Sequence, residues 1–328
     1  MEDYSKKDLA LLYEIQANAR VPLNKVAKRF KVSQQGLSYR LKKLQDEGYI
    51  LQYYTIFDSA CFGYHRFKVL LTLDHSRQEQ LGSLLEHLKG HHAILSVAEC
   101  GGKWDLVLIF ATRTAAQLHN ELQDLLMRFP KFLKKYTVLT TVMSHELGRR
   151  YLAESPLPRP PILIGGDKEH AKIDTIDHRL MRELYENPQH SYVHLAAKYK
   201  LNPKTIVKKI KTLEEKEIIR GYSVALDCSK YHHTAHEIFL RYQHLSLEKE
   251  EELLKFLRQQ KNVVHIAKVL GEWDIVVDTE TLNAPEFQKL CVQLRSQYGD
   301  MIRDFETSQI FKTHKVSYLP QSFFSEVY

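Results

Sequence analysis

The chain has 328 residues, of which 44% are hydrophobic and 27% charged, the balance of an ordinary globular protein with room for two or more domains. Four scattered cysteines with no C-x-x-C pair argue against a disulfide framework and a cysteine zinc site. No stretch approaches the roughly 18 apolar residues of a membrane span, and the first residues lack the apolar core of a secretory signal. The sequence therefore predicts a cytoplasmic protein with no membrane partner.

The net charge of +7 is unevenly placed along the chain. Between Arg20 and Leu44 there are eight Lys or Arg residues and no acid, and between Gln189 and Leu213 there are six lysines and no acid. The rest of the chain is acidic on balance. Two such windows favour contact with a polyanion at two defined places, although a solvated helix face would account for a single window more simply.

The sequence repeats itself at an offset of 169 residues. Asp8 aligns with Asp177 and Lys42 with Lys211, and both tryptophans of the chain fall on one repeat position inside a shared G-x-W-D motif. No insertion is needed over the aligned span. Between the copies lies AESPLPRPPILIGGDK, whose four prolines followed by two glycines predict an extended linker rather than a folded element.

The first third of each copy has the pattern of three short helices and a strand. In the first copy the helical patterns cover Lys7 to Asn18, Leu23 to Phe30 and Gln34 to Glu47, with a tight turn at KVS between the last two. Ser33 is predicted to cap the third helix, whereas in the second copy Asn202 caps it and Pro203 takes the first helical position. The segments YILQYYTIFD and EIIRGYSVALD that follow are typical of a strand or wing. Each copy therefore begins as a winged helix-turn-helix unit.

The end of the third helix differs between the copies. The first copy has Gly48, which enters the left-handed backbone region without strain, and the second has Glu217 at the same repeat position. We therefore expect the second copy to end this helix without the same left-handed residue.

The remainder of each copy alternates strands and amphipathic helices. FKVLLTLD, AILSVAECGG, WDLVLIFAT and KKYTVLTTVMSHE have the pattern of strands, and SRQEQLGSLLEHLKG and TAAQLHNELQDLLMRFP that of helices. Their order is βαββαβ, a ferredoxin-like arrangement that the second copy repeats from Glu237 to Tyr318. The predicted fold class is α+β, with two winged helix-turn-helix domains and two ferredoxin-like domains in tandem. The predicted domains are 1–60, 61–150, 173–229 and 230–328, with a proline-rich linker over 151–172.

This combination resembles the Lrp/AsnC (feast/famine) family of transcription regulators. The segments VSQQGLSYRLKKLQDEGYILQYYTIFD and GGKWDLVLIF carry the resemblance most strongly, and it covers nearly the whole chain twice. The resemblance implies DNA binding by the third helix, pairing through the βαββαβ domains and sensing of an amino acid at contacts between those domains. This chain departs from the family in its architecture, because the usual subunit has one copy and this one has two.

The third helices carry the predicted DNA-binding residues, because their outward faces combine amide, hydroxyl, phenol and ammonium groups that suit base edges and phosphates. A solvated polar face is the alternative. In the first copy the residues are Gln34, Gln35, Ser38, Tyr39, Lys42 and Lys43, and in the second they are Lys204, Thr205, Lys208 and Lys211. The second set is rich in lysine, a flexible point charge, and therefore suits phosphates better than bases.

The G-x-W-D motifs supply the candidate effector residues, on the family resemblance alone. They are Gly102, Trp104, Asp105, Gly271, Trp273 and Asp274. The competing interpretation is structural, because a tryptophan at the turn into a strand commonly packs in a core or an interface, and the aspartate can cap the turn.

The seventeen histidines prompt a test for metal or haem chemistry. The densest groups are His91-His92 and His232-His233-x-x-His236, yet neighbours in a strand point to opposite faces, so we predict no metal site and no cofactor. The siroheme decarboxylases resemble Lrp/AsnC proteins in fold and form the rival enzyme hypothesis. Two basic third helices favour the DNA-binding alternative, since such an enzyme needs no phosphate-binding charge there.

The sequence thus predicts a sequence-specific regulator of Lrp/AsnC type rather than an enzyme. Its two units form an intramolecular pseudo-dimer on double-stranded DNA, with an amino acid as a candidate effector and a homo-oligomer as a candidate higher assembly.

Overall fold

A computed structural model describes residues 5–154, 159–243 and 246–325 of the chain. The first copy consists of α1 (Lys6–Ala17), α2 (Leu23–Phe30), α3 (Gln34–Asp46), β1 (Ile50–Phe57), β2 (His65–Leu73), α4 (Leu81–Gly90), β3 (Ile94–Gly101), β4 (Leu106–Thr112), α5 (Ala115–Arg128) and β5 (Leu133–Glu146). This is the predicted winged helix-turn-helix followed by βαββαβ.

A short strand precedes the second copy, which repeats the order of the first. The elements are β6 (Ile162–Gly165), α6 (Thr175–Glu186), α7 (Tyr192–Tyr199), α8 (Pro203–Glu215), β7 (Ile219–Leu226), β8 (Thr234–Tyr242), α9 (Leu247–Gln259), β9 (Val263–Leu270), β10 (Ile275–Thr281), α10 (Ala284–Tyr298) and β11 (Ile302–Val316). Both halves of the predicted α+β fold class are confirmed.

The predicted helix caps are present. The Ser33 hydroxyl accepts a hydrogen bond from the Gly36 amide at 3.0 Å, and the Asn202 side chain accepts one from the Lys204 amide at 2.9 Å, with Pro203 in the first turn. The prediction for Glu217 is wrong, because this residue has a φ of +58° and Gly48 has a φ of +79°. The chain reverses in the same left-handed way in both copies, and Glu217 forms ion pairs with Lys168 and Arg220.

The two winged helix-turn-helix units form one body. The wing strands β1 and β7 pair with each other in antiparallel fashion, and Tyr54 lies opposite Ser223, which occupies the same repeat position in the second copy. One continuous cluster of buried side chains extends from Leu12 and Leu41 in the first unit to Leu180 and Ile210 in the second. The two units are therefore related by a pseudo-two-fold axis that passes between the wings.

The eight long strands of the two βαββαβ units close into a ring, which we call the barrel. Its strand order is β2-β4-β3-β11-β8-β10-β9-β5, and β5 also pairs with β2. The copies meet where β3 pairs with β11 and where β5 pairs with β9. Apolar clusters lie under α4 and α5 on one side and under α9 and α10 on the other, and a third cluster fills one end of the barrel interior.

The linker prediction for 151–172 is wrong in one respect. Ile162–Gly165 form the strand β6, which pairs with Met143–Glu146 of β5, and Ile164 is buried. The alternation of isoleucine and leucine in ILI allows this added strand to place one side chain in the core. Pro156 and Pro158, two of the four linker prolines, lie outside the described residues.

Candidate nucleic-acid interface and barrel interior

The outward face of α3 is available to a partner. Leu37, Leu41 and Leu44 are buried on the inner face. The six predicted DNA-binding residues, Gln34, Gln35, Ser38, Tyr39, Lys42 and Lys43, are all exposed. The Tyr39 side chain is 72% exposed, which is unusual for a large aromatic residue with no solvent-facing role. The amide, phenol and ammonium groups therefore lie together on one free helix face.

The equivalent helix α8 buries Ile206, Ile210 and Leu213. Lys204, Thr205, Lys208 and Lys211 are exposed, as predicted for this face. None of these three lysines forms an ion pair within the described part of the chain. They are free to approach phosphate oxygens without first breaking a contact.

The two cationic windows have fewer unpaired positive charges in the folded chain than their sequences suggest. Acids from outside the windows neutralise several of their members: Arg29 pairs with Glu14, Arg40 with Asp8, Lys198 with Glu183, and Lys209 with Asp174 and Asp177. Those acids lie on α1, on α6 and at the N-cap of α6, outside both sequence windows. Arg40 and Lys209 occupy the same repeat position and anchor the third helix, so they belong to the scaffold.

The G-x-W-D motifs lie at the turns into β4 and β10. Trp104 and Trp273 are buried, at 3% and 4% exposure, within the apolar cluster of the barrel interior. The carboxylate of Asp105 accepts a hydrogen bond from the Leu73 amide, and that of Asp274 accepts one from the Tyr242 amide, both at 2.7 Å. This geometry gives the aspartates a turn-fixing role.

The glycines of the motif have a backbone reason for their identity. Gly102 and Gly271 have φ values of +118° and +140°, which side-chain-bearing residues rarely adopt. At Gly271 a Cβ would also lie 3.0 Å from the Val138 carbonyl oxygen. All six candidate effector residues are thus placed by folding requirements, and their role toward an effector stays a prediction.

A polar cluster that was not among the predicted sites lies in the other end of the barrel interior, facing the winged units. A cavity of about 280 Å³ there is lined by charged side chains from both copies. Lys68 pairs with Glu237 at 2.7 Å, His265 with Asp278 at 3.0 Å, and Arg149 binds Glu280 with two hydrogen bonds of 2.8 and 2.7 Å. The sequence does contain a signal for this cluster, because a charged residue at an inward-facing position of an amphipathic strand interrupts a row of apolar residues.

Burial and ion pairing shift the pKa values in this cluster in opposite senses. Burial lowers the pKa of His265, but the carboxylates of Asp278 and Glu146 outweigh it and the net pKa is raised. Burial raises the pKa of Glu237, and Lys68 only partly offsets that effect. The cluster therefore favours a protonated His265 beside an ionised Asp278, whose pKa is lowered mainly by that imidazole against its own burial.

Within the described residues, two side-chain groups have the composition of metal ligands. His91 and His92 lie in a turn and stack on each other, and their Nε2 atoms lie 3.2 and 3.1 Å from the Glu121 carboxylate. The prediction that these neighbours diverge is therefore wrong, because they are not in a strand. Glu183, His190 and His194 form the other group, in which Lys198 already occupies the carboxylate. The first group offers three ligand atoms to a divalent metal.

No helix in the described residues is long and apolar enough to span a membrane.

Comparison with known proteins agrees with this architecture. A family model described as winged helix-turn-helix DNA-binding matches residues 4–50 and 173–220. An uncharacterized HTH-type transcriptional regulator of Pyrococcus furiosus is 32% identical over 108 residues, which cover 32% of this chain and 70% of the relative. A second HTH-type regulator of the same organism is 26% identical over 149 residues, covering 44% of this chain and 94% of the relative.

Among solved structures, the siroheme decarboxylase NirDL matches 98% of this chain and 97% of its own, with a TM-score of 0.60 and 13% sequence identity. At that identity the likeness concerns the fold alone. An AsnC family regulator from Agrobacterium tumefaciens matches 46% of this chain and 99% of its own, with 20% identity and a TM-score of 0.41.

Proposed function

This chain belongs to the Lrp/AsnC family of winged helix-turn-helix regulators and carries two of the family's units in tandem, and on that premise we propose that it is a sequence-specific DNA-binding transcription regulator whose two recognition helices act differently. The observation that carries the proposal is the exposed polar face on α3 and α8, which combines hydrogen-bonding groups and lysines above a buried leucine or isoleucine row. Such a face suits base edges and phosphates of double-stranded DNA.

The first copy supplies the base-reading helix in this proposal. The side-chain amide of Gln35 and the phenol of Tyr39 are exposed and can donate and accept hydrogen bonds in the major groove. Lys42 and Lys43 lie nearer the end of α3, where they can reach the flanking phosphates; Lys43 is 3.5 Å from Glu47. This arrangement joins direct readout with charge on one helix.

The second copy supplies the phosphate-binding helix. Lys204, Lys208 and Lys211 lie along the outer face of α8, with Thr205 beside them. Lysine provides charge without the planar geometry that discriminates bases, so this helix adds affinity that depends on salt more than on sequence. Because the third helices of the two winged units differ, we expect an operator that is not a palindrome.

Binding-site selection from random duplex DNA tests the proposal. Wild-type protein is expected to enrich one asymmetric sequence at low and at moderate salt. Gln35→Ala should blur the enriched sequence at one or two positions, and Lys208→Ala should reduce recovery of all sequences. Lys255→Ala is the matched control, since Lys255 is an exposed lysine on α9, in the sheet domain. No enrichment by the wild type at either salt concentration would reject the proposal.

An amino acid or a similar small metabolite is the proposed effector, and its contact with the G-x-W-D residues is an expectation from the family resemblance. Trp104 and Trp273 both pack against Phe239 in the barrel interior, so a ligand that alters the barrel should change tryptophan emission. A titration with each of the twenty amino acids measures this emission together with DNA affinity. A panel that changes neither would assign both tryptophans to packing alone.

A siroheme-decarboxylase-like enzyme is the second candidate, favoured by the NirDL fold match and by a cavity of about 590 Å³ near α1 and β5. That cavity contains Arg150, Arg159 and Lys261, which could bind the carboxylates of a tetrapyrrole substrate. Its lining includes no histidine or cysteine in the part of the chain that the structure describes. Titration with iron-uroporphyrin, followed by absorbance, separates the candidates, since a pure DNA-binding regulator should leave the spectrum of the free compound unchanged.

A further inference from the structure

Two ion pairs in the barrel join residues that occupy the same repeat position. Lys68 Nζ lies 2.7 Å from Glu237 Oε1, and Lys103 Nζ lies 2.9 Å from Glu272 Oε1. In both pairs the partners are 169 residues apart, which is the repeat offset. The Lys68 and Glu237 side chains are only 5% and 8% exposed, whereas the second pair is partly exposed at 39% and 38%.

Equivalent residues can contact each other only next to the axis that relates the two copies. A true homodimer built on the same axis would therefore place each of these residues against itself, because an isologous interface brings the same patch of both subunits together. Two first copies would oppose Lys68 with Lys68 and Lys103 with Lys103. Two second copies would oppose Glu237 with Glu237 and Glu272 with Glu272.

Burial of the Lys68–Glu237 pair makes the energetic difference between opposite and like charges large at this position. Glu237 and Lys68 lie where the strands β8 and β2 face the barrel interior, and solvent screens like charges there much less than at the surface. Nearby charges do not remove the conflict in a pair of first copies, because Asp278 and His265 belong to the second copy and the first has Ile109 and Ser96 at those positions. A barrel of two first copies would hold two buried lysines without the carboxylates of Glu237 and Asp278, which act on Lys68 in this chain.

The partly exposed pair acts at the opposite end of the barrel. Lys103 lies 5.0 Å from the ring centre of Trp104 and 5.6 Å from that of Trp273, so it contacts both copies as well as Glu272. The Thr137 hydroxyl is within 3.5 Å of the Glu272 carboxylate. The two ion pairs therefore bracket the apolar part of the barrel interior along the axis.

We propose that Lys68–Glu237 and Lys103–Glu272 form a pairing code, by which the first copy accepts as its barrel partner only a unit that has acids at these two positions. The code excludes a second first copy and any single-unit relative with lysine there. The partner that fits is an AsnC-type unit with a glutamate at each equivalent position, and the second copy of the same chain is such a unit. Selection of the barrel partner by these two ion pairs does not depend on DNA binding.

Charge reversal in the full-length chain tests the code at each pair separately. K68E and E237K each create a like pair, and K68E/E237K restores an opposite pair in the reverse orientation; K103E, E272K and K103E/E272K do the same at the exposed end. We expect each single variant to lower the urea midpoint and each reversed double variant to recover more than half of the loss. If the buried variants fail to fold, the exposed set still decides the result.

Mixing tests the choice of partner. A chain with only acids on the axis, K68E/K103E, and a chain with only lysines, E237K/E272K, are tagged differently, unfolded in urea and refolded together. We expect a two-chain complex in native mass spectrometry, in which each chain lends its first copy to the second copy of the other. Differently tagged wild-type chains serve as the control and should stay single. Reversed doubles no more stable than the singles, or mixed chains no more associated than the control, would overturn the code.

Discussion

The two copies keep the same scaffold and differ at the side chains that face a partner. Where the first copy has Ser96, Ile109 and Ala111 on the barrel wall, the second has His265, Asp278 and Glu280. The strand register is nonetheless the same on both sides of the axis: Lys312 lies opposite Glu99 in one joint, and the equivalent Met143 lies opposite Lys268 in the other. In a homodimer every position must serve both sides of an interface, and this chain is free of that constraint.

Exchanging a residue between the copies at the barrel wall gives the largest expected effect. Glu280→Ala introduces the first copy's Ala111 and leaves Arg149, only 18% exposed, without its carboxylate. We expect a loss of about 3 to 5 kcal/mol of unfolding free energy in urea, because a buried guanidinium loses its counter-charge. Glu251→Ala, which breaks an exposed pair with Arg258, is the control and should cost less than about 1 kcal/mol. A cost below that control would contradict the role of the buried pair.

We expect the first copy to lose more stability in acid than the second, because of a histidine at the turn after α4. Burial, together with the neighbouring His92, His87 and Lys315, lowers the pKa of His91 to about 4. An unfolded histidine has a pKa near 6.5, so the folded state prefers the neutral ring: its contribution is complete above pH 6.5 and is lost as the pH falls toward 4.

The second copy has Gln260 at the position of His91, so His91→Gln should flatten the acid sensitivity. Between pH 7 and pH 4 we expect the unfolding free energy of the variant to fall by up to about 3 kcal/mol less than that of the wild type. Urea unfolding at several pH values measures it. His119→Gln, at an exposed histidine of α5, is the control. Equal pH dependence in the wild type and His91→Gln would place the acid sensitivity elsewhere.

The recognition helices should differ in how DNA binding responds to substitution. Gln35→Ala should remove about 1 to 3 kcal/mol of discrimination at one or two base pairs and leave the salt dependence nearly unchanged. Lys208→Ala should weaken binding to all duplexes and make the slope of log K against log salt shallower by about 0.9 for one lost phosphate contact. Titrations on a specific and a scrambled duplex at several salt concentrations measure both. The opposite pattern would exchange the roles assigned to the two heads.

The smallest effect is expected where the third helices end. Gly48→Ala should cost about 1 kcal/mol of unfolding free energy, because a side chain is placed at a φ of +79°. Glu217→Ala should change stability by less than about 0.5 kcal/mol, since Glu217 already has a side chain in that region and is itself 58% exposed in both of its ion pairs. Thermal unfolding compares the two variants. Similar losses in both would mean that the Glu217 ion pairs, and not the backbone, dominate.

Local chemistry made much of the fold predictable from the sequence. The apolar spacing of Leu37, Leu41 and Leu44, the caps at Ser33 and Asn202, and the strand patterns all depend on neighbours a few residues away. The same spacing placed the candidate DNA-binding residues on a free face, because the side opposite a buried row is exposed. The 169-residue repeat then extended each result from one copy to the other.

The features of the fold that the sequence did not predict depend on contacts between distant segments. Alternation in a strand does not show that β5 pairs with β9 of the other copy, so neither the closed barrel nor the shared core of the winged units could be inferred. The short strand β6 exists because β5 offers it a pairing position. Lys68 and Glu237 show opposite charge at one repeat position in the sequence itself, but that observation has meaning only once the axis is known.

The paired wings have a geometrical consequence for the operator. Since β1 and β7 are hydrogen-bonded and the two winged units share a core, the distance between α3 and α8 is set by the protein rather than by the DNA. The spacing between the two DNA segments that α3 and α8 would contact is then fixed. In the proposed mode of DNA binding, five base pairs inserted between the two contacted segments should turn one of them by about half a helical revolution, out of reach of its helix, whereas ten should restore the facing side but lengthen the site beyond the span.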